Sequence, residues 1–164
     1  MKFDPLFFHK IAYWCYLKKI PVIPRLLTGL NLFLFNCKIC TNVKFSKNVT
    51  LVARGLGVTI ANGAKIGHNT CIGVNTVIVR KFPYKDVAEI GDNVFIGPGV
   101  AIVGPVIIED NVVIGANSVI TKSIPKNSIV AGNPAKIISS TLDIDYDIFS
   151  NPQYKEGKSP FLTK

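Results

Sequence analysis

Between residues 90 and 120 an isoleucine recurs at every sixth position: Ile90, Ile96, Ile102, Ile108, Ile114 and Ile120. A period of six fits the two-residue alternation of a strand but not the 3.6-residue turn of a helix, so the stretch reads as extended chain. Glycine follows three of these isoleucines as Gly91, Gly97 and Gly115. A glycine inside extended chain marks a bend or a close backbone approach. Two residues before each later isoleucine stands a smaller side chain, Val94, Val100, Val106, Val112 or Ser118, which points the same way and suits a tight corner. Each hexad therefore describes one short strand and one bend, and three such sides close a triangular coil. The pattern predicts a mainly β chain wound as a parallel β-helix, its hollow filled by stacked aliphatic side chains.

The same frame extends upstream. Ile60, Ile66, Ile72 and Ile78 are in phase, with Ala64, Thr70 and Thr76 at the small position. Tyr84 keeps the phase, but "VRKFPYKDVA" has lost the glycine and the small residues, so Arg80 to Ala88 reads as a loop leaving the coil. Ile39, Phe45 and Leu51 continue the six-step, after which "VARGLGVT" inserts three residues before Ile60 as a second bulge or loop. About five coils are expected between Ile39 and Ile129.

Three segments follow: a helical one over 1–36, the β-helix over 37–138 and a polar tail over 139–164. The first, "DPLFFHKIAYWCYLKKIPVIPRLLTGLNLFLFN", is rich in Phe, Leu, Tyr and Trp and lacks the sixfold pattern. It predicts one helix from about Asp4, an N-cap ahead of Pro5, to Lys19, and another from about Arg25 to Phe35, parted by Pro21 and Pro24. The uncharged run from Leu26 to Cys37 is too short to span a bilayer, and no signal-peptide cleavage site is evident. Packing against the first coil or a neighbouring subunit is one expectation for these helices. Interfacial contact with an anionic membrane through Lys10, Lys18, Lys19 and Arg25 is the other.

The formal charge of +9 points to an anionic partner such as a membrane surface or a phosphate-rich cofactor. Nucleic acid is not expected, because no recognition motif or basic helix with interleaved aromatics is present. Cys37 and Cys40 form a C-x-x-C, but a zinc site needs a second ligand pair. Ordinary reduced thiols in a cytoplasmic protein are expected, with no bound metal. A zinc-dependent carbonic anhydrase on this fold needs three histidines, and the chain has two.

The stretch "IGDNVFIGPGVAIVGPVIIEDNVVIGANSVITKSIPKNSIVAGNPAKII" resembles the C-terminal half of the hexapeptide acyltransferases, closest to the serine acetyltransferase branch and its sugar-modifying relatives. The closing "SIPKNSIVAGNPAK" is the most specific part. The resemblance covers Ile39 to Ile138 and implies a left-handed β-helix, assembled as a homotrimer, with acetyl-CoA in a groove between neighbouring helices. It further implies transfer of the acetyl group to a hydroxyl or an amine. In that groove Gly97, Gly99, Gly115 and Ala116 are expected to let the coenzyme approach the main chain. Ser118 adds a hydroxyl, and Lys122 and Lys136 meet the phosphates.

Serine acetyltransferases carry a histidine in an "H-x-x-G" bulge, an aspartate on the coil below and a second histidine before "P-K-I-G". Aligned on Gly57 and on "IGD", those positions here are Arg54, Lys38 and Val87. Arginine stays protonated and cannot act as a base, so the family's dyad is absent. The remaining histidines are His9, expected to be a packing residue, and His68, expected as general base. Counting the loop as one hexad places Asp86 a full coil from His68, where its carboxylate would orient the imidazole and raise its basicity. Glu89 and Tyr84 are weaker candidates. The expected function is acetyl-CoA-dependent O-acetylation of a sugar hydroxyl in surface polysaccharide synthesis, by a cytoplasmic protein with peripheral contact at the inner membrane face. A serine acetyltransferase with a rebuilt site and a non-catalytic trimeric scaffold are the alternatives.

Overall fold

A computed structural model of the chain describes residues 4–143. Two helices precede a three-sided parallel β-helix. Helix α1 (Pro5–Leu17) starts as predicted, with the Asp4 carboxylate accepting from the Phe7 N–H at 2.8 Å and Pro5 in the first turn, where a missing N–H costs nothing. Helix α2 (Ile23–Phe35) begins at Ile23, with the second proline, Pro24, in its first turn, and ends on Asn36 in the left-handed conformation.

Fifteen strands follow, most of them two residues long. The first three, β1 (Lys38–Ile39), β2 (Lys44–Phe45) and β3 (Thr50–Leu51), open three faces. The first face adds β4 (Thr59–Ile60), the second β5 (Lys65–Ile66) and the third β6 (Cys71–Ile72). The next coil supplies β7 (Val77–Val79), β8 (Glu89–Ile90) and β9 (Phe95–Ile96) in the same rotation. Another supplies β10 (Ala101–Val103), β11 (Ile107–Ile108) and β12 (Val113–Ile114). β13 (Val119–Ile120) closes the first face and β14 (Ser128–Gly132) continues the third. β15 (Ala135–Ser140) then turns back antiparallel on β14, two residues past the expected β-helix boundary at Ile138. All other pairings between strands are parallel.

The hexad rule places the core. Ile60, Ile72, Ile78, Ile96, Ile102, Ile108 and Ile114 are wholly buried, and so are Val94, Val100 and Val112 at the small position. Thr70, Thr76 and Ser118 occupy small positions too, and each satisfies its hydroxyl on a backbone carbonyl.

The register shows where the pattern is interrupted. An undisturbed coil advances 18 residues, as from Ile90 to Ile108. Across the bulge it advances 21, as from Ile39 to Ile60, and across the loop it advances 24, as from Ile66 to Ile90. The hexad around Tyr84 is therefore not a side of the prism, because all its residues are spent in the loop. At the far end the advance falls to 16, from Ile108 to Ile124 and from Ile114 to Val130. Val130, not Ile129, thus points inward there.

The corner between the second and third faces carries a ladder. Asn48, Asn69, Asn93, Asn111 and Asn127 all adopt left-handed φ values of 52–58°, which asparagine tolerates better than most residues. The Nδ2 of each of the first four donates to the Oδ1 of the asparagine one coil on, at 3.1–3.2 Å.

Candidate active site

The second face presents Lys44, Lys65, Glu89 and Ile107 to solvent, and the third presents Cys71, Phe95 and Val113, buried or half-buried. The first face carries the exposed Lys38 at its start and then Thr59, Val77, Ala101 and Val119 in register, small and half-buried in the single chain. Irregular segments stand at both edges of this flat apolar strip. At the edge where the chain enters it lies the bulge, residues 52–57. Ala53 (φ 46°) and Arg54 (φ 57°) are both left-handed there. Two consecutive non-glycine residues in that region cost of order 1–2 kcal/mol each, and such strain clusters at functional sites. The bulge is tied down by Gly57 N–H to the Asn36 carbonyl at 3.0 Å and by Asn75 N–H to the Leu56 carbonyl at 2.8 Å. The Arg54 side chain remains exposed.

At the opposite edge the Arg80–Ala88 loop leaves the coil. Phe82 is 92% exposed, Tyr84 is 55% exposed, and Asp86 is exposed beside them. The loop returns through Val87 and Ala88, which are buried. Among the described residues, no hydrogen bond or ion pair occupies the Asp86 carboxylate.

The structure does not bring His68 and Asp86 together. With 24 residues in that coil, the residue above His68 is Asp92, whose Oδ1 accepts from the His68 backbone N–H at 2.6 Å. Asp92 in turn rests on Asp110, whose Oδ1 accepts from the Asp92 N–H at 2.7 Å. The imidazole is engaged from below: its Nδ1 accepts from the Lys47 N–H at 3.2 Å. That bond puts the proton of the neutral ring on Nε2, leaving no free lone pair for a general base. His68 also sits on the corner between the second and third faces, away from the flat strip.

The coenzyme candidates divide likewise. Gly97, Gly99 and Ala116 lie along the bulge edge, but the space the glycines leave is filled by the next coil. A Cβ on Gly97 would stand 2.7 Å from the Ala116 nitrogen, and one on Gly99 would strike the Asn117 side chain. Gly115 faces the Ala131 Cβ in the same way. Ser118 is wholly buried, bonded to the Gly115 carbonyl at 2.7 Å and to the Gly132 N–H at 3.2 Å, so its hydroxyl is not a ligand group. Lys122 is exposed on the loop edge, one coil beyond Gly104, and not on the His68 corner. Lys136 is exposed on β15 opposite Ala131.

His9 is a packing residue, as expected. It is 4% exposed, its Nε2 donates to the Val43 carbonyl at 2.9 Å, and its ring meets Phe45 edge-on. Burial pulls its pKa below the ordinary value, against the opposing pull of the Val43 carbonyl. His9 and His68 line one cavity of about 310 Å³ with Lys10, Ser46 and Lys47. Nothing in its spacing marks His9, because its burial depends on where α1 lands. Cys37 is buried and its thiol is pushed up to about 12 by desolvation, so it is no nucleophile at neutral pH.

Residues 88–122 match the bacterial transferase hexapeptide family (six repeats). The chain is 33% identical over 138 residues to a serine acetyltransferase of Synechococcus elongatus, covering 83% of this chain and 56% of that protein. It is 42% identical over 113 residues to Protein CapG of Staphylococcus aureus, covering 67% of this chain and 64% of that one. The fold superposes on serine acetyltransferase from Brucella abortus, solved in complex with coenzyme A, with a TM-score of 0.79 and 25% identity over 82% of this chain and 54% of that one. The chain thus spans little more than half the length of the serine acetyltransferases it matches. Their left-handed β-helix is the fold seen here.

Proposed function

We propose that this chain, which belongs to the hexapeptide-repeat acyltransferase family, is an acetyl-CoA-dependent O-acetyltransferase acting as a homotrimer on a sugar hydroxyl. The observation that carries the reading is the flat first face, bounded on one edge by the strained bulge and on the other by the exposed loop. When three prisms turn this face to a common threefold axis, the bulge edge of each lies beside the loop edge of its neighbour. Arg54, Gly97, Gly99 and Ala116 of one subunit then face Tyr84, Asp86 and Lys122 of the next. The residues that a single chain keeps on separate edges meet in that cleft.

The residues present suit an acetyl-CoA co-substrate. Lys122 and Lys136 are exposed cations that answer its phosphates, and Ala116 is a small exposed residue on the bulge edge. In the reaction, the acceptor hydroxyl oxygen attacks the thioester carbonyl and the C–S bond breaks. The hydroxyl proton passes to the Asp86 carboxylate and on to the departing thiolate. The Arg54 guanidinium, fixed in its charge, stabilises the oxyanion that develops on the carbonyl.

A sugar acceptor is supported over serine by the missing dyad, with Arg54, Lys38 and Val87 at its positions. The test is thiol release from acetyl-CoA against sugars, sugar nucleotides and serine. Asp86→Asn is expected to lower turnover on the order of a hundredfold or more, while His68→Ala stays within about twofold. The reverse pattern would return the base to His68 and refute the cleft. Turnover with serine alone would establish the serine acetyltransferase reading, and no coenzyme binding at all would leave the scaffold.

A further inference from the structure

Helix α2 is built inside out. Its buried residues are Pro24 and Asn31, while Ile23, Leu26, Leu30, Leu32, Phe33 and Leu34 are exposed, Leu26 at 66% and Phe33 at 86%. The one amide of the helix turns inward, donating from Nδ2 to the Pro5 carbonyl at 3.0 Å. A soluble helix does the opposite, keeping leucines in and amides out. Helix α1 adds Trp14 (58% exposed) and Leu17 (60%) to the same hairpin. An exposed apolar surface of this kind is covered in the working protein by something.

The charges identify what covers it. No acidic residue stands between Asp4 and Asp86, a span that holds twelve lysines and arginines. Four of them, Lys10, Lys18, Lys19 and Arg25, belong to the helices and the turn between them, and all four are exposed. Asp4 is spent on the α1 N-cap. Packing the hairpin against a second copy would set these cations against their own kind with no carboxylate to answer them. An anionic bilayer supplies both missing partners: hydrocarbon for the leucines and Phe33, phosphates for the cations. Trp14 and Tyr16, apolar rings with polar tips, suit the boundary between the two. Among the described residues no helix is long and apolar enough to cross a membrane, so the hairpin would lie on the surface.

We propose that the α1–α2 hairpin docks this protein onto an anionic membrane surface. The proposal does not depend on the acetyl-transfer reading. In a threefold assembly with prism axes parallel, three hairpins stand at the same end, and their binding adds through effective concentration.

The experiment is co-sedimentation of the full chain with vesicles of one part phosphatidylglycerol to two parts phosphatidylcholine, and with phosphatidylcholine alone. Binding to the first and not the second is expected, weakening as salt rises. Trp14 is the only tryptophan, so its emission should shift to the blue on the anionic vesicles. Lys18→Gln/Lys19→Gln/Arg25→Gln should weaken binding about fivefold per charge, roughly a hundredfold together. Leu26→Gln/Phe33→Gln, at exposed positions that keep helix propensity, should abolish the blue shift while circular dichroism and melting stay unchanged. Absence of binding to anionic vesicles overturns the proposal, as does wild-type binding by Leu26→Gln/Phe33→Gln. If that variant instead lowers the oligomeric size with vesicle binding unaltered, the surface belongs to a second copy.

Discussion

Gly97→Ala separates two accounts of the glycine after the isoleucine. If the missing side chain serves the coenzyme, alanine should weaken acetyl-CoA binding and leave the fold alone. The geometry predicts the other result. An alanine Cβ would lie 2.7 Å from the Ala116 nitrogen, 2.8 Å from the Ile114 oxygen and 3.0 Å from the Ala116 Cα. All three atoms are backbone, so no rotamer change relieves them. An ordinary carbon contact is about 3.5 Å, so the coils must part locally by roughly 0.7 Å. That strains the Gly97 N–H bond to the Ile114 carbonyl, now 2.9 Å. Overpacking of this kind costs about 1–3 kcal/mol. For a domain of this size the melting temperature should fall by roughly 3–10 °C. Thermal unfolding by circular dichroism, with and without acetyl-CoA, checks it. An unchanged melting temperature with a weakened coenzyme dissociation constant would refute the stacking argument.

His9 predicts a pH dependence. Its folded pKa lies below that of the unfolded chain, so the unfolded state binds more protons as pH falls through 6.5 and stability declines there. Urea midpoints of His9→Gln, which keeps a donor for the Val43 carbonyl, should vary less between pH 7 and 5.5 than those of the native chain. Asn93→Gly keeps the left-handed backbone but removes the amide from the middle of the ladder, and two lost bonds should lower stability by about 1–3 kcal/mol in denaturant melts. Gly29→Ala sits within α2, where an added Cβ meets nothing within 4 Å, and should raise stability by about 0.5–1 kcal/mol.

The faces of the prism were legible because a single rule, one aliphatic residue inward per side, repeats without alternatives along most of the chain. The rule could not say whether a hexad is a side or a detour. Tyr84 holds the phase inside the loop, and the count that placed Asp86 over His68 treated that detour as a side. Asp92 occupies the place instead, and it does so through backbone hydrogen bonding that side-chain type does not announce. The terminal phase slip to Ile124 and Val130 was hidden for a related reason, since the six-step positions there, Lys126 and Gly132, no longer carry the inward residue. Ser118 and His9 needed knowledge of contacts: one is enclosed by its own corner, the other by a helix from a different part of the chain. The glycines were legible as corner residues, but Lys122 falls on the loop edge and not on the His68 corner, and which edges meet depends on the neighbouring subunit.

A stack of near-identical coils has no inherent length, and its open ends invite further copies to join as a growing filament. Here β15 reverses direction along the last strand of the third face, with a register shift between Ile129 and Val130. A newcomer bringing strands in the parallel sense finds its hydrogen-bonding phase already taken on that side. At the other end Leu6 and Phe35 of the helices close over the first coil. At both ends of the prism, then, growth by coil-on-coil stacking meets a segment of the same chain that runs against the repeat.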